Sequence, residues 1–192
     1  MSASTFTIGY LVGSLASDSL NRRLAGALVR LAPPTLHLEE IPLAGLPLFS
    51  RDLEADLPVP VRELKRRIEG SDGILVVTPE YNRDIPGALK NAIDWASRPK
   101  GSNSFDRKPT AVIGASPGRL GTVVAQQNLR AVLSFLNAPQ MNAPEAYVQY
   151  TEGLVDEDGR VTDPGTEELL RRFMAEFADF VERVLTVLPR RL

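Results

Sequence analysis

Chemically useful side chains gather in three short stretches of this 192-residue chain. They are Gly13-Ser14-Leu15-Ala16-Ser17-Asp18-Ser19-Leu20-Asn21, Thr78-Pro79-Glu80-Tyr81-Asn82-Arg83-Asp84-Ile85-Pro86-Gly87 and Gly114-Ala115-Ser116-Pro117-Gly118-Arg119-Leu120-Gly121. The first sets Ser14, Ser17, Ser19 and Asn21 at the start of an apolar-periodic helix, where free N–H groups and the positive dipole end favour a phosphate. Serines there also serve as plain helix caps, so both readings stand. Neither a Walker loop nor a dinucleotide fingerprint is present. Hydroxyls and amides around one terminal phosphate are the pattern that remains.

The second stretch offers a carboxylate, a phenol and an amide in succession. Such a loop can lay backbone amides along the polar edge of a flat heterocycle while Tyr81 forms an aromatic wall. A turn with an exposed tyrosine is the simpler alternative. In the third stretch, Gly114-Ala115-Ser116-Pro117-Gly118 imitates the nucleophile elbow of α/β-hydrolases. That chemistry needs a backbone N–H after the serine, and Pro117 has none. The only histidine, His37, precedes the serine and alternates outward on a strand, which argues against acyl transfer. Gly118 and Gly121 suit close approach of backbone to a ring or phosphate, and Arg119 is available for an anion.

The elements that must position these loops alternate between strand and helix patterns, as in a parallel α/β sheet. Strands are expected at Thr5–Val12, Thr35–Ile41 (Leu36, Leu38 and Ile41 inward), Gly73–Thr78, Pro109–Ala115 and Glu145–Tyr150. A first helix carries Leu20, Leu24, Leu28 and Leu31 and stops at Pro33-Pro34. Others run from Val61 to Glu69 before Gly70, from Pro86 in a first turn to about Trp95, and along Leu129, Val132, Leu133 and Leu136. A last one shows Leu169, Phe173, Phe177, Phe180, Val184 and Leu188. Trp95 belongs to the core or a subunit interface. The stretch 42–60, rich in proline, is expected as a long loop of the kind that often serves function. Five strands and interleaved helices predict a single domain, residues 1–192, with a three-layer α/β sandwich and strand order 2-1-3-4-5. Ligands bind such sheets beyond the carboxyl ends of the strands, which brings all three loops to one site.

Composition agrees with a folded globular protein and argues against other classes. Apolar residues make up 43% and charged residues 24%, ordinary globular values, and a chain of this size buries roughly 70% of its unfolded surface. The net charge is −2. Its basic clusters, Arg22-Arg23, Lys65-Arg66-Arg67, Arg171-Arg172 and Arg190-Arg191, read as solvated helix faces rather than a nucleic-acid groove. With no cysteine, disulfides, thiolate nucleophiles and Cys-bound zinc are excluded, and no metal site is expected. The apolar run 6–16 lacks a preceding Lys or Arg, so it reads as a strand rather than a leader. No run reaches membrane-spanning length. A cytoplasmic protein is the expectation.

Together, "GSLASDSLNRRLA", "PEYNRDIPGALKNAIDWASRP" and "GASPGRLGTVVAQQNLRAVL" resemble the NADPH-dependent FMN reductase family, in its chromate and quinone reductase branch, from residue 8 to about 140. The resemblance implies a flavodoxin-like fold, bound FMN, NAD(P)H as hydride donor, and a working dimer or tetramer. Hydride would pass by way of flavin N5 to a quinone, flavin, azo or metal-oxyanion acceptor in a ping-pong cycle, with no obligatory acid or base from the protein. By the same resemblance Ser14, Ser17, Ser19 and Asn21 would hold the phosphate and ribityl end. Pro79, Glu80, Tyr81 and Asn82 would line the ring, and Ser116, Gly118, Arg119 and Gly121 would close its other side. A flavodoxin-like electron carrier or flavin-binding regulator without turnover of its own is the alternative.

Two positions depart from the family pattern: Ala16 stands where an arginine is usual and Asp84 where a serine is common. With Ala16, the first loop offers a phosphate only neutral groups and the helix dipole. A charge-assisted hydrogen bond contributes about 1.5–3 kcal/mol. Ala16→Arg is therefore expected to tighten FMN by about one to two powers of ten with a steeper salt dependence, measured by fluorescence titration at two ionic strengths. An unchanged dissociation constant would mean that another cation already fills the role.

Overall fold

Short runs of aliphatic and β-branched residues build one sheet from β1 (Phe6–Val12), β2 (Leu36–Glu40), β3 (Gly73–Val77), β4 (Thr110–Ser116) and β5 (Tyr147–Gln149). The computed structural model describes residues 4–188, so Arg190 and Arg191 lie outside the described residues. All strands pair in parallel, in the order β2-β1-β3-β4-β5. The connecting helices are α1 (Leu20–Leu31), α2 (Val59–Gly70), α3 (Gly87–Ala96), α4 (Val123–Phe135) and α5 (Pro164–Val187). Helices α1 and α5 pack on one face around Leu28, Phe173 and Phe177. Helices α2, α3 and α4 cover the other around Leu64, Leu89 and Leu129. Because both faces are covered, all five residues of β3 are buried, the pattern a central parallel strand requires. The expected α/β, flavodoxin-like order holds.

Several boundaries differ from expectation for local reasons. Helix α2 starts at Val59, since Pro60 fits its first turn, and the preceding loop contains a 3-10 helix at Arg51–Leu53. Gly70 is the last helical residue, and Ser71 closes the helix, its N–H donating to the carbonyls of Arg67 and Ile68. Pro86 is extended, with φ −59° and ψ 143°, and acts as N-cap of α3. Along α5 the fully buried seam is Leu170, Phe173, Met174, Phe177 and Val181. Leu169 and Phe180 sit at its edges, half-buried.

Lys65 is the largest correction, because it is not a solvated charge. Its Nζ donates to Ala96 O (3.1 Å), Ser102 O (2.6 Å) and Ser104 Oγ (2.8 Å), with Glu69 3.6 Å away. Burial lowers its pKa, opposed in part by the Glu69 charge. The ammonium thus ties α2 to the carboxyl end of α3. Trp95 is fully buried, its indole N–H donating to Pro47 O at 2.7 Å and its ring meeting Phe49 edge-on at 4.9 Å. The long loop is thereby fastened to α3.

Backbone packs tightly around Gly114, where β3 and β4 end. A Cβ on Gly114 would run into the Thr78 carbonyl oxygen and Thr122 Oγ1. Backbone cannot yield there as a flexible side chain would. Gly114→Ala is expected to cost about 1–3 kcal/mol or more, read as a lower urea midpoint at unchanged slope; wild-type stability in this variant would contradict the packing described.

Candidate flavin site at the carboxyl ends of the strands

The three loops meet where the topology predicts. After β1, Ser14 is buried and its Oγ lies 3.2 Å from the Tyr81 hydroxyl of the loop after β3. The same Oγ accepts the Ala16 N–H at 3.2 Å, shaping the turn into α1. Ser19 is the N-cap of α1, its Oγ accepting from Arg22 N. The N–H groups of Ser17, Asp18 and Leu20 find no hydrogen-bond partner among the described residues. Leu15, Ala16, Ser17 and Asp18 are all exposed, leaving room for a larger side chain at Ala16.

Asn82 (φ 53°) and Arg83 (φ 65°) both adopt left-handed backbone. Tyr81 and Asp84 exchange both backbone hydrogen bonds, at 2.9 and 3.0 Å. This is a type I′ turn, which ordinarily favours Asn followed by Gly. The turn exposes Tyr81 and Asn82 beyond the sheet. In the loop after β4, Ser116 Oγ donates to Gly121 O at 2.6 Å, which binds the serine hydroxyl to the loop rather than to a base. Residues 117–120 are exposed. Gly121 has φ +58°, and a Cβ there would press on the Tyr147 and Val148 backbone at 2.8 and 3.0 Å. Its constraint is therefore packing on β5, whereas a Cβ at Gly118 would meet only Ser116 Oγ at 3.5 Å.

Two residues expected on a ligand spend their polar atoms inside the protein. Asn21 is 2% exposed; its Nδ2 donates to Ala115 O and its Oδ1 accepts from Ala115 N, both at 2.9 Å. Glu80 Oε2 accepts from the N–H groups of Val124 (3.0 Å) and Ala125 (3.1 Å) in the first turn of α4. Its Oε1 faces Arg83 at 3.3 Å. No local spacing announces either tie; both join segments dozens of residues apart. His37 stays on β2, exposed and beside Glu39 at 3.3 Å. No group of metal-ligating side chains occurs among the described residues.

Each loop also exposes one large apolar side chain: Leu15, Tyr81 and Leu120. Free amides beside apolar groups match the donor set that a phosphate-bearing flat ring needs. Residues 6–153 match the NADPH-dependent FMN reductase family. The chain belongs to that family. As a member of the NADPH-dependent FMN reductases it is an FMN-dependent oxidoreductase that uses NAD(P)H. It is 45% identical over 174 residues to a 2-hydroxy-1,4-benzoquinone reductase of Burkholderia sp, covering 91% of this chain and 95% of that one. A quinone reductase of Pseudomonas putida is 42% identical over 178 residues, with 92% and 95% covered. Among solved structures, the flavoenzyme NAD(P)H:(acceptor) oxidoreductase FerB of Paracoccus denitrificans superposes with a TM-score of 0.90 at 45% identity, covering 93% and 98% of the two chains.

The Asn21 tether gives a direct test. Asn21→Ala leaves the buried N–H and C=O of Ala115 without these partners, at about 1–3 kcal/mol for each group. Urea unfolding is expected to show a loss of about 2–6 kcal/mol by that count. A loss below about 0.5 kcal/mol, the range of surface changes, would mean the pairing carries no weight.

Proposed function

We propose that this chain is an NAD(P)H-dependent quinone reductase working by a ping-pong cycle, with FMN held in the three-loop site. The observation that carries the reading is the meeting of free amides and exposed apolar side chains at the carboxyl ends of β1, β3 and β4. When bound, FMN supplies the hydride chemistry and accounts for the lack of an acid–base pair. The amides of the first loop, with Ser14, Ser17 and Ser19, hold the phosphate. Pro79, Tyr81 and Asn82 orient the ring, while Ser116, Gly118, Arg119 and Gly121 close its other side. Asn21 and Glu80 hold the frame. A quinone is the acceptor we favour, because two relatives carry that activity in their names.

The chain acts as a single domain and in the cytoplasm on this reading. No helix among the described residues is long and apolar enough to cross a membrane. Self-association is supported by a cleft of about 550 Å³ between α3 and α4, lined by Phe49, Ile93, Val132 and Leu136, beside Phe135, which is 89% exposed. An exposed aromatic next to an apolar hollow on one face suits a two-fold contact between copies. Phe135→Glu is expected to shift the sedimentation coefficient toward the monomer; an unchanged value would place the contact elsewhere.

Mixing FMN-loaded protein with NADPH under anaerobic conditions tests the activity. Rapid bleaching of the flavin, colour returning on addition of a benzoquinone, and parallel double-reciprocal plots are the expected results. A flavin that NADPH does not bleach would favour an electron carrier instead.

A further inference from the structure

Helix α4 begins without a cap of its own. Thr122, at its N-cap position, makes no capping bond, because its Oγ1 accepts from Gln126 Nε2 at 3.0 Å. The first-turn donors are instead taken by Glu80, 44 and 45 residues earlier in the chain. A second tie lies one turn on: Asn128 Nδ2 donates to Arg83 O and to Asp84 Oδ1, each at 3.2 Å. The turn that carries Tyr81 and Asn82 is therefore bracketed by α4 on both flanks. Its position follows α4 as much as β3.

The charge matters as well as the bonds. Helices α1 and α4 both start from loops of the candidate site, and each N-terminus attracts anions. At α4 a carboxylate of the protein already occupies that end, its side chain only 11% exposed. At α1 the N–H groups of Ser17, Asp18 and Leu20 are left without partners among the described residues.

We propose that Glu80 is a positioning residue that acts as an internal anion: it fills the N-terminus of α4, fixes the Tyr81–Asp84 turn on it, and so directs the phosphate of the cofactor to α1. This rests on the reading that the three loops hold FMN, but its first test needs no flavin. Inorganic phosphate titrated into the wild-type protein is expected to shift backbone amide resonances in residues 14–20 and to leave Val124 and Ala125 unmoved. In Glu80→Ala, phosphate is expected to move Val124 and Ala125 too, and their hydrogen exchange to accelerate. Glu80→Gln keeps an acceptor oxygen and is expected to preserve the exchange protection.

With FMN, Glu80→Ala is expected to raise the dissociation constant about tenfold and to lower kcat for flavin reduction at full occupancy, while Glu80→Gln restores kcat. A merely structural cap would lower the melting temperature in Glu80→Ala and leave kcat at full occupancy alone. The proposal is overturned by phosphate shifts at Val124 and Ala125 in the wild type, a result that stands even if the alanine variant does not fold. It is equally overturned by unchanged FMN affinity and kcat in a folded Glu80→Ala. Failure of the wild type to bind FMN would reject the flavin reading, and the phosphate titration would still decide the role of Glu80.

Discussion

Everything at the site depends on how the end of β4 is held after β3 has turned away. The last bond between them is Thr78 N to Ile113 O at 2.9 Å. Two residues beyond Ile113, Ala115 presents its backbone groups to the same side by the strand's two-residue repeat, into a gap where β3 no longer runs. The buried amide of Asn21 fills that gap, donating to one group and accepting from the other. A side chain at the start of α1 thus takes the place of a strand, and the loops after β1 and β4 cannot move independently.

The remaining ties extend this frame. Ser14 meets Tyr81 across the first two loops, Glu80 joins the second to α4, and Ser116 closes the third on Gly121. Most polar side chains of the motifs are spent on one another, leaving backbone amides and a few apolar groups to face a ligand. That division suits a protein whose cofactor carries the chemistry. Such a protein contributes orientation and an apolar, shaped surface.

The sheet order and the three loops were legible because they rest on local signals: buried apolar runs, helix-starting serines, and the topology rule for open parallel sheets. The roles of Asn21, Glu80 and Lys65 were not. Each makes bonds to partners 31 or more residues distant, and a sequence read by spacing cannot distinguish such a side chain from a ligand contact or a solvated charge. A turn with an exposed tyrosine at Tyr81-Asn82 was one of the two readings and is what the structure holds; only its type I′ form was not legible. Its second position lacks the glycine that signals type I′, and an arginine with φ 65° is tolerated there. Along α5, either of two neighbouring leucines could have joined the buried seam; packing chose Leu170.

That one ligand site is shared by three loops is tested most directly by titrating FMN into isotopically labelled protein and following every backbone amide. Residues 14–20, 79–84 and 116–121 are predicted to shift together and to saturate at one equivalent. The cleft of about 480 Å³ near Asp72, Asn103 and Lys108, at the opposite, amino-terminal ends of β3 and β4, is predicted to stay silent. Shifts centred on that cleft, or confined to one of the three loops, would contradict the account.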